Sequence, residues 1–271
     1  MKLLICADGS TSSIESADLI LKLRFPQDSR MTVLGVNENQ NDLENLVASM
    51  ERIDEKFVPL YIVERKIRNG DPITEIMSEA LESTYDIVAL GGGGQLDLLK
   101  PKLGSTTSKL ARKLHTHFLV ARNVPKIVNK VLFCTGAEAP ASMTMLLGGK
   151  WISNTDAQIG LLHVLPGKSG DVHVVDSLHE KATYKNNEQQ DSLLTHASQQ
   201  LKGAGVKNEI LLRIRQGVIV EEVINELAEG GYELLVIGSH YQPGQDLWQG
   251  TLLDDVTDQL LNRCSCSVLI I

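Results

Sequence analysis

Asp86-Ile87-Val88-Ala89-Leu90-Gly91-Gly92-Gly93-Gly94, with Gly104-Ser105-Thr106 following after nine intervening residues, is the stretch that decides the fold. Ile87 to Leu90 is a short apolar run that predicts a buried strand. The glycines at its end remove side chains where something must approach the backbone closely. A helix opening Gly-Ser-Thr offers N–H groups and hydroxyls at its positive end, which suits an anion. Together the two elements predict a cradle for the phosphates of a nucleotide.

Outward from this pair the chain alternates. Lys2 to Ala7 predicts a strand, followed by Asp8-Gly9-Ser10 and a helix capped by Ser12 or Ser13 that runs to about Arg24. Met31 to Val36 predicts the second strand, Asp42 to Lys56 a helix, and Val58 to Ile67 the third strand. Asp71 is a cap and Pro72 a first helical residue. Ser105 to Leu114 and Phe118 to Arg122 complete the set. Strands alternating with helices predict a parallel sheet with helices on both faces.

After Asn123-Val124-Pro125-Lys126 the pattern restarts. Val131-Leu-Phe-Cys134 echoes Leu3-Leu-Ile-Cys6, and Ile159 to Val164 echoes Met31 to Val36. Ile214-Arg-Gln-Gly217 echoes Ile67-Arg-Asn-Gly70, and Tyr232 to Gly238 echoes Tyr85 to Gly91, both at an offset of 147 positions. An internal repeat follows, with domains at 1–124 and 127–271. The second copy has a longer loop from Pro166 and a polar helix from about Ser177 to Leu201.

The bulk properties limit the partners. Of 271 residues 42 % are apolar, enough for packed cores, and only 4 % are aromatic. A net charge of −8 without a basic cluster argues against nucleic acid and anionic membranes. No apolar run approaches the roughly 20 residues of a membrane helix. The start is too short for a signal peptide, and Cys6, Cys134, Cys264 and Cys266 form no disulfide framework, so a reducing cytoplasm is expected.

These residues resemble a known family. Gly91, Gly94, Gly104 and Ser105 fit the pattern Gly-x-x-Gly, nine residues, Gly-Ser/Thr without a gap, and Asp8-Gly9-Ser10 matches the N-terminal signature of the universal stress proteins. The chain resembles a tandem member with two such domains. The resemblance implies an α/β fold of two doubly wound, five-stranded parallel sheets, strand order 3-2-1-4-5, as in the adenine nucleotide alpha hydrolases. It also implies ATP as ligand, with AMP or ADP as alternatives. It assigns Asp8 to the adenine amino group, with Gly9 and Ser10 beside it, and Val36 to adenine through its backbone. Gly91 and Gly94 go to ribose and phosphates, and Gly104, Ser105 and Thr106 to the phosphate tail. Mg²⁺ would come with a triphosphate, held through its phosphates. The terminal strands Phe118 to Arg122 and Val268 to Ile271 would pair within the chain as a pseudo-dimer, with a homodimer as a further option.

The second copy departs from the pattern. Gly136 or Thr135 replaces Asp8, Tyr241 stands at the second glycine, and Asp254-Asp255 or, in a rival alignment, Gly250-Thr251 falls on Gly104-Ser105. A degenerate second site is expected, because two carboxylates repel phosphate.

Other functions of these residues stay open. Ser105 and Thr106 equally suit helix capping, and so does Asp8. His115 and His117 are expected at the surface, His163 in the core, and Trp151 and Trp248 as packing anchors. No metal site and no catalytic group is assigned; Lys100 and Lys102 are the cations nearest Ser105 in sequence. The expected function is a cytoplasmic stress-response regulator binding an adenine nucleotide. A slow ATPase or adenylyl-transferring enzyme, and a nucleotide-free scaffold, are the alternatives.

Overall fold

A computed structural model describes residues 1–38, 43–93, 103–135, 140–165, 167, 171–175, 187–239 and 253–271. The first half runs β1 (Lys2–Ala7), α1 (Thr11–Leu23), β2 (Arg30–Asn37), α2 (Leu43–Phe57), β3 (Ile62–Asn69), α3 (Pro72–Glu82), β4 (Ile87–Gly91), α4 (Ser105–Ala111) and β5 (His117–Ala121). The second half begins with β6 (Lys130–Cys134), α5 (Pro140–Met143), a π-turn segment Thr144–Gly148, α6 (Gly149–Ile152), β7 (Gln158–Leu165) and β8 (Asp171–Val175). It continues with α7 (Asn187–Gly203), β9 (Ile210–Gln216), α8 (Ile219–Gly230), β10 (Leu234–Ile237), α9 (Asp255–Arg263) and β11 (Ser267–Ile270).

All these strands lie in one sheet, in the order β3-β2-β1-β4-β5-β11-β10-β6-β7-β9-β8. The first half is wholly parallel and has the order 3-2-1-4-5. The second repeats it as β9-β7-β6-β10-β11. The two terminal strands meet antiparallel, Phe118 against Ile270, Leu119 against Leu269 and Val120 against Val268. Each of these six residues is at most 4 % exposed, so what would be two apolar edges becomes interior.

Helices cover both faces, which is why β1 reads as an unbroken apolar run. Leu3, Ile5 and Ala7 join one core with α1 and α2, while Leu4 and Cys6 join the other with Ile76 and Leu110. Both cores continue across the junction into the second half.

The strongest mark of duplication is a charged network, present twice at the offset of 147. Glu79, 1 % exposed, accepts from Lys66 Nζ (2.9 Å), Arg68 Nη2 (2.8 Å) and Tyr85 Oη (2.6 Å). In the second half Glu226 faces Arg213 Nε (3.6 Å), Arg215 Nε (2.7 Å) and Tyr232 Oη (3.4 Å). Burial alone would raise the Glu79 carboxyl, but its bonds to Lys66, Tyr85 and Arg68 outweigh that and bring it to about 2. Each network fastens the helix after the third strand to that strand.

Three expectations are corrected. The N-cap of α1 is Ser10, whose side chain accepts from Ser13 N, rather than Ser12 or Ser13. The third strand starts at Ile62, because α2 continues to the fully buried Phe57 and Val58 to Leu60 form a turn. The second sheet unit has a sixth strand: β8 pairs antiparallel with β9 and covers its outer edge. The described part of the polar helix is Asn187–Gly203.

Candidate functional site

Because the strands of the first half are parallel, their carboxyl ends share one side of the sheet. Strand order reverses between β1 and β4, and this switch point is where open α/β sheets bind ligands. Asp8 follows β1, Val36 lies near the end of β2, and Gly91 ends β4.

Beyond β1 the chain turns sharply. Gly9 has φ +82, a conformation that favours glycine. Asp8 Oδ1 accepts from Ser10 N (2.9 Å) and Ser10 Oγ (2.6 Å), which fixes the exposed carboxylate. Its Oδ2 receives no hydrogen bond from a described residue. Asp8, Gly9, Ser10, Val36, Asn37 and Pro72 are among the residues lining a cleft of about 420 Å³. That volume suits a small organic ligand. Pro72 is placed by the cap of α3, where Asp71 accepts from Thr74 N at 2.9 Å; these bonds lower the Asp71 carboxyl.

The glycine turn comes next. Thr107 Oγ1 donates to Gly91 O (3.0 Å), Gly92 N to Ala121 O (2.7 Å) and Gly104 N to Gly92 O (3.0 Å). The start of α4 is thereby tied to the turn after β4, as the spacing predicts. Gly93 has φ +50 and faces Gly104, where a Cβ would sit 3.4 Å from the Gly93 Cα. Gly104 is the N-cap of α4 and no side chain caps it. Ser105 is exposed and Thr106 half-buried in the first turn. Gly94, Lys100 and Lys102 lie outside the described residues.

At Gly91 the close approach is that of another helix. A Cβ there would collide with the backbone of Ser12 in α1, so this glycine lets α1 pack on the strand end. Sequence reasoning also missed Asn37, whose Nδ2 donates to Asn69 Oδ1 (3.0 Å) while its own Oδ1 is buried without a partner among the described residues. Its signal was its place one residue after Val36. His117 is not a surface residue: it packs edge-on against Trp151 of the second half, with ring centroids 5.1 Å apart, and burial lowers its imidazole pKa. His163 is buried, with Nδ1 3.0 Å from Thr135 O.

The second half repeats the scaffold of the turn and changes its chemistry. Ser239 N donates to Ile271 O (2.8 Å), as Gly92 does to Ala121, and Thr257 Oγ1 lies 3.4 Å from Gly238 O, as Thr107 does from Gly91 O. Asp254 takes the place of Gly104 as N-cap, and its carboxylate accepts from Thr257 N at 2.7 Å. The helix start that has no side-chain cap in the first half carries an anionic one in the second. Val131 pairs with Leu234 as Leu3 does with Ile87, so Gly136 is the counterpart of Asp8. Gly136, Tyr241, Trp248 and Gly250-Thr251 lie outside the described residues.

Among solved structures, a universal stress protein from Archaeoglobus fulgidus DSM 4304 is 15 % identical, with a TM-score of 0.65, over 99 % of this chain and 97 % of that one. A functionally unknown protein from Pseudomonas aeruginosa PAO1 is 16 % identical, with a TM-score of 0.70, over 100 % of this chain and 92 % of that one. A universal stress protein solved in complex with cAMP is 19 % identical over 53 % of this chain and 96 % of its own, with a TM-score of 0.39. No curated protein sequence matches the chain. Among the described residues no helix is long and apolar enough to cross a membrane. The model of the Universal stress protein family matches twice, at residues 1–122 and 129–271, and the chain therefore belongs to that family as a tandem of two units.

Proposed function

We propose that the first half binds an adenine nucleotide, ATP foremost with ADP or AMP as alternatives, and that the second half does not. Adenine enters the cleft beside Asp8 and Val36. Its amino group donates to the Asp8 carboxylate, an open acceptor at the end of β1. The phosphates lie over Gly93 and Gly104 and reach Ser105 and Thr106, where main chain without side chains admits an anion. Mg²⁺ enters with the triphosphate, held by phosphate oxygens. Occupancy then acts as a signal in a cytoplasmic stress response, and the two halves form a pseudo-dimer through β5 and β11.

One observation carries this reading: two copies of one turn differ at the decisive residue. Gly104 leaves its helix start bare, whereas Asp254 fills the same position with a carboxylate. Protein purified without added ligand is to be denatured and the released small molecules identified by mass spectrometry, beside calorimetric titration with ATP and Mg²⁺. Binding at one site per chain is expected. No nucleotide in either experiment, or two sites per chain, refutes the reading.

A further inference from the structure

Arg122 follows β5 and is only 8 % exposed. Its backbone N donates to Ser267 Oγ (3.0 Å), and Ser267 Oγ donates back to Arg122 O (3.0 Å). Its Nη1 donates to Leu261 O (2.7 Å) and Cys264 O (2.9 Å) at the end of α9. Its Nη2 is buried with no hydrogen-bond partner among the described residues. No carboxylate of a described residue pairs with this guanidinium, unlike Arg68 and Arg215, which face buried glutamates. Burial pulls its pKa down, opposed by Cys264 and Cys266.

Among the described residues the carbonyl end of α9, a partial negative charge, is what answers this buried cation, and it holds Nη1 alone. The stem of Arg122 runs directly beneath the glycine turn, where a Cβ at Gly92 would collide with Arg122 Cγ and lie 2.8 Å from its Nε. Gly92 has no room for a side chain because the Arg122 stem lies under it. The next residue, Gly93, faces Gly104.

We propose that Arg122 is a positioning residue whose charge answers the phosphates of the nucleotide through the Gly92 turn. Its Nη1 meanwhile ties that turn to α9 of the second half. The inference rests on the nucleotide reading given above. Arg122 acts at a distance, across thin main chain in a poorly solvated junction, where Coulomb interactions are little screened. Because binding linkage is reciprocal, phosphate occupancy in the first half also steadies the junction with the second.

The test is calorimetric titration of the full chain with ATP, ADP, AMP and adenosine, for wild type, Arg122→Gln and Arg122→Lys. Arg122→Gln is expected to weaken ATP by about tenfold. The loss should shrink stepwise toward AMP and vanish for adenosine, and Arg122→Lys should stay within about threefold of wild type. Ser267→Ala, which removes the hydroxyl but keeps the cation, should lower the melting temperature without changing the ratio of ATP to adenosine affinity. An equal loss for all four ligands means a merely structural role and overturns the proposal, as does an unchanged ATP affinity. If Arg122→Gln does not fold by circular dichroism, Arg122→Met, which keeps the stem, is titrated in its place against the same criteria. A wild type that binds none of the four ligands sinks the nucleotide reading and this inference with it. A wild type that binds, beside a variant that binds equally well, sinks this inference alone.

Discussion

Replacing Gly104 by aspartate copies into the first half what Asp254 does in the second, and the two consequences have opposite signs. Gly104 has φ −59 and ψ 145, close to the φ −71 and ψ 163 of Asp254, so any residue adopts the conformation. A Cβ there meets Gly93 and Gly92 at 3.4 to 3.7 Å, ordinary contact. An aspartate N-cap outranks glycine by a few tenths of a kcal/mol. The melting temperature should therefore stay within about 2 °C of wild type or rise. Binding should suffer. A new carboxylate about 5 Å from a phosphate charge costs on the order of 3 kcal/mol at an effective dielectric of about 20. Gly104 is half-exposed, so about 2 kcal/mol, or about 30-fold in affinity, is the sounder figure. Calorimetric titration with ATP and a thermal melt read both quantities. Unchanged ATP affinity refutes the phosphate seat, and a melting point lower by 5 °C or more refutes the cap argument.

Asp8→Asn keeps an acceptor for Ser10 but turns the free oxygen into a donor, so adenosine and ATP should both weaken about tenfold with no change in melting temperature; equal affinities for adenosine contradict the adenine assignment. Asp255→Ser should leave the titration at one site per chain, since Asp254 remains the cap; a second site appearing would show that Asp255 alone had closed it. Glu79→Gln should cost about 3 kcal/mol in denaturant unfolding, because Lys66 and Arg68 lose a buried counter-ion; a change below about 0.5 kcal/mol argues that the network is idle. The Glu79 carboxyl sits at about 2 instead of the usual 4.5, so its contribution is complete above pH 4.5 and disappears as pH falls through 2. The wild-type advantage over Glu79→Gln should therefore shrink between those values, and a gap that stays constant contradicts the assignment.

The strand and helix alternation, the duplication and the tie between Gly91 to Gly93 and Gly104 were legible because each is a local pattern or a fixed spacing. What could not be read depends on elements that meet only in space. That Gly91 also makes room for α1 is visible only once the helix is seen to lie on it. Arg122 reads as the tail of a strand, and its meaning comes from Ser267, Leu261 and Cys264, about 140 positions away. Asp171 to Val175 follows a loop and pairs with β9 along that strand's outer edge. The doubled glutamate network was present in the sequence at the same offset as the glycines, but charged residues on strands and helices default to solvent, and only burial marks these as internal. Its presence in both halves, buried each time, marks it as something the fold requires.

The antiparallel meeting of β5 and β11 turns the carboxyl ends of the two halves toward opposite sides of the molecule. A symmetric pair of identical units presents two equivalent mouths and can respond cooperatively. If nucleotide binds in the first half alone, as proposed above, the response to rising ligand should be hyperbolic, with a Hill coefficient near one.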